Sequence, residues 1–267
     1  MCTHILMELS WWIQAPHEDV FEESFVPMLC PALLSGYVTH HPEDCFSFTR
    51  EQASAFARER ARDFNPLHDP DSTRFCVPGD LLFASVCAWD GLSEHMDMRL
   101  EGMVDDKALL ALSGDRGSRS LTDVRDHRVY AKIENDGASV QDPALVYALV
   151  QAAVTFTGQH FFSTLIPRMR EYGVMVHPTR PLVVYDRIRL DLDDTQMHTP
   201  EIRSAGSDMH IEGRRGTLTL KFEFHEQGRT VGSGYKTMQL RGLRKFDSEA
   251  VEVLVNAYRL RQDSCAA

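Results

Sequence analysis

The chain has 267 residues, 43% apolar and 25% charged, enough for two domains of ordinary size or one large one. That composition excludes disorder, collagen and coiled coil as the main class. Twenty-eight Lys and Arg against 39 Asp and Glu leave a net charge of −11, which argues against a general nucleic-acid binder and against attraction to an anionic membrane surface.

Residues 1–42 read as a poorly patterned leader, apolar at Trp11 and Trp12 but punctuated by Pro16, Pro27, Pro31 and Gly36. Its start lacks a basic segment and Glu8 breaks the apolar run, so a signal peptide is not expected. No apolar stretch along the chain reaches membrane length. The six cysteines, at 2, 30, 45, 76, 87 and 265, form no C-x-x-C pair. Neither a zinc site nor a disulfide framework is indicated, and free thiols in a reducing cytoplasm are expected.

A denser pattern begins at Phe46-Ser47-Phe48, which alternates like a short strand. Thr49 is placed to cap a helix that carries Phe56 and runs to about Arg62, with Glu51 and Gln52 in its first turn. Residues 63–80 form a loop holding Pro66, Pro70, Pro78 and Gly79. Residues 81–89 are apolar on nearly all sides. The Pro78 and Asp80 start, with the Ala and Leu content, predicts a helix over about 80–93 rather than a strand. Such a helix must be enclosed.

Strands are then expected over 98–104, 108–112 and 129–133, the last ending in a turn at Asn135-Asp136-Gly137. A second apolar helix follows over 143–165, with Asp142 as N-cap and Pro143 at its first position. After Pro167 the chain turns strand-like again. Residues 181–192 place Val183, Tyr185, Ile188 and Leu190 among charged residues, residues 217–224 alternate, and Gln227-Gly228 turns into a strand over 230–240. An amphipathic helix over 248–262 closes the chain.

The order reads twice as a buried helix followed by long antiparallel strands. A helix wrapped by a curved antiparallel sheet is the hot-dog arrangement. The α+β reading is therefore a double hot-dog: leader 1–42, first unit 43–141, second unit 142–245, and a helix and tail 246–267. The second unit lacks an obvious strand before its helix unless 129–133 serves it, and a single hot-dog with a large insertion is the alternative.

Chemistry concentrates in the 63–79 loop. Asp63, Asn65 and His68 lie between an amphipathic helix and a buried one, where pKa values shift. A His moves protons in either direction near neutrality, a carboxylate can bind water, and Gly79 opens a helix whose free N–H groups favour an oxyanion. D-x-N-P is also a common turn, and on composition alone the structural reading is the more frequent one.

Residues 56–84, FARERARDFNPLHDPDSTRFCVPGDLLFA, resemble the hydratase motif of the MaoC-like family, the (R)-specific enoyl-CoA hydratases and dehydratases. Asp63, Asn65, Pro66 and His68 match D-x-N-P-x-H, and Gly79 matches the glycine that opens the central helix. The resemblance implies a lyase acting on an acyl thioester, with Asp63 and His68 as the catalytic pair, Asn65 ordering the loop and the Gly79 amide binding the thioester oxygen. It implies no metal and no cofactor beyond the CoA or carrier-protein arm of the substrate. Pro78 stands where the family usually has His. The whole chain is also similar to a bacterial subgroup of about this length in which V-P-G recurs.

Arg58, Arg60, Arg62 and Arg74 flank the motif, and Arg58, Arg62 and Arg74 are candidate phosphate contacts. A homodimer is compatible with this reading. A non-catalytic acyl-thioester or apolar-ligand binder and a hot-dog thioesterase are the alternatives. Other candidates are weaker. His40-His41-Pro42-Glu43-Asp44 suits a solvated loop better than a metal site. His160 suits a hydrogen-bonded core position, and Gly232-Ser233-Gly234 suits a bulge or close packing in a strand. Only the first half carries an Asp–Asn–His loop, so one active site per chain is expected.

Overall fold

A computed structural model describes residues 28–266. The expectations for Trp11, Trp12, Pro16, Pro27 and Cys2 lie outside the described residues. Two short strands, β1 (Thr39–His40) and β2 (Phe46–Ser47), lead into α1 (Arg50–Glu59). Thr49 caps α1: its Oγ1 accepts the Gln52 N–H at 3.1 Å, while its own N–H reaches Gln52 Oε1 at 2.9 Å. The motif loop then delivers the chain to α2 (Gly79–Asp90), β3 (Leu92–Leu100), β4 (Leu110–Asp115), β5 (Ser118–Asp123) and β6 (Val129–Val140). The second half holds α3 (Pro143–Glu171), β7 (Val174–Met175), β8 (Leu182–Leu192), β9 (Glu201–Glu212), β10 (Arg215–Glu226), β11 (Arg229–Arg241), β12 (Arg244–Lys245) and α4 (Ser248–Ala266).

Ten strands form one sheet in the order β1-β2-β4-β5-β6-β3-β8-β11-β10-β9, and β7 pairs with β12 beside it. The first unit contributes β2-β4-β5-β6-β3 and the second β8-β11-β10-β9, so β3, which follows α2, meets β8, which follows α3 and the short β7, at the joint. There β3 and β8 pair antiparallel, Met98 opposite Ile188. The protein is a double hot-dog. β6 lies between β5 and β3, within the first unit, so it does not serve the second helix. The second unit has no strand before α3 among the described residues.

Residues Gly79 to Ala88 of α2 are all buried. α3 is enclosed over its first half, where Leu145, Val146, Leu149, Val150, Ala153 and Val154 are buried. Its second half exposes a stripe at Gln159, Ser163, Pro167 and Arg170, so the expected full enclosure stops there. The expected end near 165 also falls short. Pro167 removes one N–H donor, but buried Leu165 and Met169 and the Arg168 bonds to Ser207 on β9 hold the helix together to Glu171.

Two further boundaries differ. Asn135-Asp136-Gly137 is no turn: Gly137, at φ +80°, forms a bulge in β6 opposite Ser93 and His95, and the strand continues to Val140. The strand expected over 98–104 begins instead at Leu92, immediately after Gly91 ends α2. β10 alternates as expected, burying Leu218, Leu220, Phe222 and Phe224. The glycines of β11 answer close packing, since a Cβ on Gly234 would meet the Phe222 ring at 2.6 Å.

Hydrogen bonds from α3 hold the second unit against the start of the motif. Gln151 Nε2 and Thr155 Oγ1 of α3 both donate to the Arg60 carbonyl, at 3.2 and 3.1 Å. One turn on, a Cβ at Gly158 would overlap the Ala61 and Arg62 carbonyl groups. Gly158→Ala should therefore destabilise the protein by about 1–3 kcal/mol, despite the better helix propensity of Ala. Denaturant unfolding measures this, and an unchanged midpoint would mean that α3 does not lie against residues 61–62.

Candidate functional site

The motif loop is built by short-range hydrogen bonds. The Asp63 N–H reaches back to the Ala57 carbonyl at 2.8 Å, after Arg62 turns the chain at φ +56°. Asp63 Oδ1 accepts the Asn65 N–H at 2.9 Å, and Asn65 Oδ1 accepts the Leu67 N–H at 3.2 Å. Pro66 then opens a single 3₁₀ turn, Pro66–His68. The Cys76 N–H returns to the Leu67 carbonyl at 3.0 Å, and His68 Nδ1 donates to the Cys76 carbonyl at 2.6 Å. A carbonyl only accepts, so Nδ1 carries a proton and Nε2 is the exchanging nitrogen. Nε2 faces Asp63 Oδ2 at 3.6 Å.

The structure thus brings Asp63 and His68 together, on a cavity of about 370 Å³ that Asn65, Gly79, Thr157 and Tyr185 also line. Its size is that of a small-molecule site. Asn65 Nδ2 donates to the Val183 carbonyl of β8 at 3.1 Å, tying the loop to the second unit. Beyond that bond lies a second, apolar cavity of about 190 Å³ between the C-terminal half of α3 and α4. The Gly79 N–H belongs to the first turn of α2, where no intrahelical acceptor exists. Gly79 is also a steric requirement: a Cβ there would lie 2.8 Å from Tyr185 Cβ and Cδ2.

Two buried groups, Asp80 and Lys236, and the partly buried Tyr185 form a cluster at this cavity that the sequence does not mark as a site. Lys236 of β11 donates to Asp80 Oδ1 and to the Ala153 carbonyl of α3, each at 2.5 Å. The Tyr185 hydroxyl donates to Asp80 Oδ2 at 2.6 Å. Asp80 is 1% exposed and Lys236 is fully buried. Burial pushes the Asp80 carboxyl up and the Lys236 amine down, and their mutual attraction opposes both shifts. The same burial, with Asp80 and Asp63 nearby, drives the Tyr185 phenol well up.

Signals for two of these groups are present in the sequence. Lys236 falls in phase with Gly234, Met238 and Leu240, the inward set of β11. Tyr185 and Ile188 break the alternation of β8 by one residue. The β8–β11 register shifts there, between Thr237 and Met238, and the bulge lets Val183 and Tyr185 point inward together with Ile188 and Leu190.

The flanking arginines do not converge on the cavity. Arg58 pairs with Asp69 at 2.8 Å, and Arg62 and Arg74 are exposed away from its lining. Arg128 and Arg241 line it instead. His160 is half-buried, and its Nδ1 bonds the Phe156 carbonyl at 2.8 Å. His41 bonds Ser47 at 2.8 Å. Cys30, Cys45, Cys76 and Cys87 are free and buried. No helix among the described residues is long and apolar enough to cross a membrane.

Strand order, the enclosed helix and a loop-borne carboxylate–imidazole pair on the cavity that this helix opens define a hot-dog protein with a cavity at the joint of its units. Residues 32–249 match the family described as "Protein of unknown function (DUF3581)", and the chain belongs to that family. No curated protein matches it in sequence. Among solved structures it is similar to the full-length peroxisomal multifunctional enzyme type 2 of Drosophila melanogaster, with 11% identity, 73% of this chain covered and a TM-score of 0.40. The match spans about half of that enzyme's length, 48%. A "MaoC-like dehydratase" matches at 10% identity and TM-score 0.38, covering 77% of this chain and 98% of the other. An acyl-CoA thioesterase II of Mycobacterium marinum matches at 11% and 0.37, covering 79% and 97%.

Burial is the largest influence on His68 and lowers its pKa, but Asp63 at Nε2 and the Cys76 carbonyl at Nδ1 together favour the imidazolium more, and the net shift is upward. A raised folded-state pKa stabilises the protein fully below the unfolded value of about 6.5, and this contribution is lost as pH rises through the folded value. An NMR titration of the His68 ring should thus give a midpoint above the ordinary histidine value in the wild type and a lower one in Asp63→Asn. Equal midpoints would show that the two side chains do not interact.

Proposed function

We propose that this protein is a hydratase or dehydratase that adds or removes water across the double bond of an acyl thioester. The observation that carries the reading is the placement of His68 Nε2 and Asp63 Oδ2, 3.6 Å apart, on a cavity that also holds the opening residue of the enclosed helix. In the hydration direction, Asp63 takes a proton from water as the water oxygen bonds to C3. Protonated His68 delivers its Nε2 proton to C2, and the proton on Asp63 then resets His68, so no net proton is gained or lost. The Gly79 amide stabilises the negative charge that builds on the thioester oxygen. Asn65 holds Asp63 and the loop in register with β8. The upward shift of His68 supports its role as the proton carrier.

The CoA or carrier-protein arm enters over Arg128 and Arg241, which lie on the cavity, rather than over Arg58, Arg62 and Arg74. Pro78 keeps the helix start in place without a side-chain cap, its carbonyl accepting the Leu81 and Leu82 N–H groups at 3.0 and 3.2 Å.

Loss of 2-enoyl-CoA absorbance on hydration tests the reading. Asp63→Asn and His68→Gln should each lower turnover by about 10²–10⁴, and the double variant should cost little more than either. Asp63→Asn keeps an oxygen for the Asn65 N–H and should melt close to wild type, whereas His68→Gln loses the buried ring's bond to the Cys76 carbonyl and should melt lower. Release of free thiol instead would identify a thioesterase. Retention of acyl-CoA without turnover would identify a binding protein, and equal rates in all four proteins would reduce Asp63 and His68 to turn residues.

A further inference from the structure

The second unit contributes more than a wall. Thr157 on α3 is 2% exposed, lines the same cavity as Asp63, His68 and Gly79, and its hydroxyl makes no hydrogen bond of ordinary geometry among the described residues. A buried hydroxyl left unpaired costs stability, so such a group is uncommon without a reason.

The reason lies one helical turn back. A Thr inside a helix ordinarily turns its hydroxyl to the carbonyl four residues earlier. For Thr157 that is the Ala153 carbonyl, and Lys236 Nζ already sits on it at 2.5 Å. The helix's own N–H from residue 157 takes the other lone pair. The buried lysine thus fills the place that the hydroxyl would take. The Tyr185 hydroxyl gives its proton to Asp80 and lies close enough to Thr157 Oγ1 for that hydroxyl to favour the ionised phenol, but not in ordinary hydrogen-bond geometry. Beside that oxygen lies the cavity, which Thr157 and Tyr185 both line.

Its position is held on both sides. The Arg60 carbonyl receives Gln151 and Thr155 from the same helix, and Gly158, the next residue, lies directly against the Ala61 and Arg62 backbone. Thr157 is therefore fixed relative to the turn that presents Asp63, by contacts that belong to neither residue's side chain.

We propose that the Thr157 hydroxyl is a catalytic donor to the substrate, hydrogen-bonding an oxygen atom of the bound acyl thioester from the side of the second unit. The inference rests on the acyl-thioester reading above. It makes the site a product of both units, with proton transfer on the first and a substrate-binding hydroxyl on the second.

The test compares Thr157→Val, which keeps the shape and removes the hydroxyl, with Thr157→Ser, which keeps the hydroxyl. Hydration of short- and medium-chain 2-enoyl-CoAs and binding of the matching saturated acyl-CoAs are measured with thermal melts. Thr157→Val should lose about 10²-fold in kcat/KM. It should also bind the saturated acyl-CoA more weakly, and melt no lower than wild type, because an unpaired buried hydroxyl has been removed. Thr157→Ser should stay close to wild type. Wild-type kinetics and binding in Thr157→Val, with activity still lost in Asp63→Asn, would overturn this proposal and leave the hydratase reading standing. A lower melting temperature with unchanged kinetics would assign Thr157 a packing role and overturn it too. A wild-type protein that neither binds nor turns over any acyl-CoA would overturn both.

Discussion

The buried Asp80–Lys236 pair is the interaction on which the site depends. Asp80 opens the enclosed helix of the first unit and Lys236 sits mid-strand in the second, with the Ala153 carbonyl of α3 as the third point. Removing two charges from water is costly, and their attraction compensates only when geometry and remaining hydrogen bonds are good. Here both carboxylate oxygens of Asp80 are occupied, one by Lys236 and one by Tyr185. A buried pair of this kind is weak evidence for extra stability. What it does supply is register: α2, α3, β8 and β11 meet at one place, and that place is the floor of the cavity.

The asymmetry of the two units follows from what each loop before its helix contains. The first carries Asp63, Asn65 and His68, folded into a turn whose polar groups satisfy one another. The second passes from β6 into α3 through a short link, with Asp142 spent on the Ala144 N–H at 3.0 Å. The enclosed first half of α3 then serves the first unit: its hydrogen bonds to the Arg60 carbonyl and the close approach at Gly158 hold the motif loop from behind.

Much of the fold is legible in the sequence because burial sets its periodicity. α2 is apolar all round because it is enclosed. β10 alternates because one face is buried, and Thr49, Asp142 and Pro143 mark helix starts by their own chemistry. The motif loop is legible because D-x-N-P-x-H encodes a local turn. β9 is not legible: it is an edge strand with most side chains exposed and a pairing partner, β10, on one side only, and so carries almost no pattern. Gly137 reads as a turn because the same positive φ serves a bulge. Asp80, Tyr185 and Lys236 meet only in three dimensions, across 105 and 156 residues of chain. Of these, only the inward phase of Lys236 and the skipped beat at Tyr185–Ile188 leave a trace.

A double-mutant cycle on Asp80→Asn and Lys236→Met, followed by denaturant unfolding, tests most directly whether this pair joins the units. Each single variant strands one buried partner and should cost about 3–5 kcal/mol, whereas the double variant removes both charges and should recover most of that loss. A coupling of at least about 3 kcal/mol is the predicted result. Single costs that add to the double within about 0.5 kcal/mol would contradict the account, because the two side chains would then not be energetic partners.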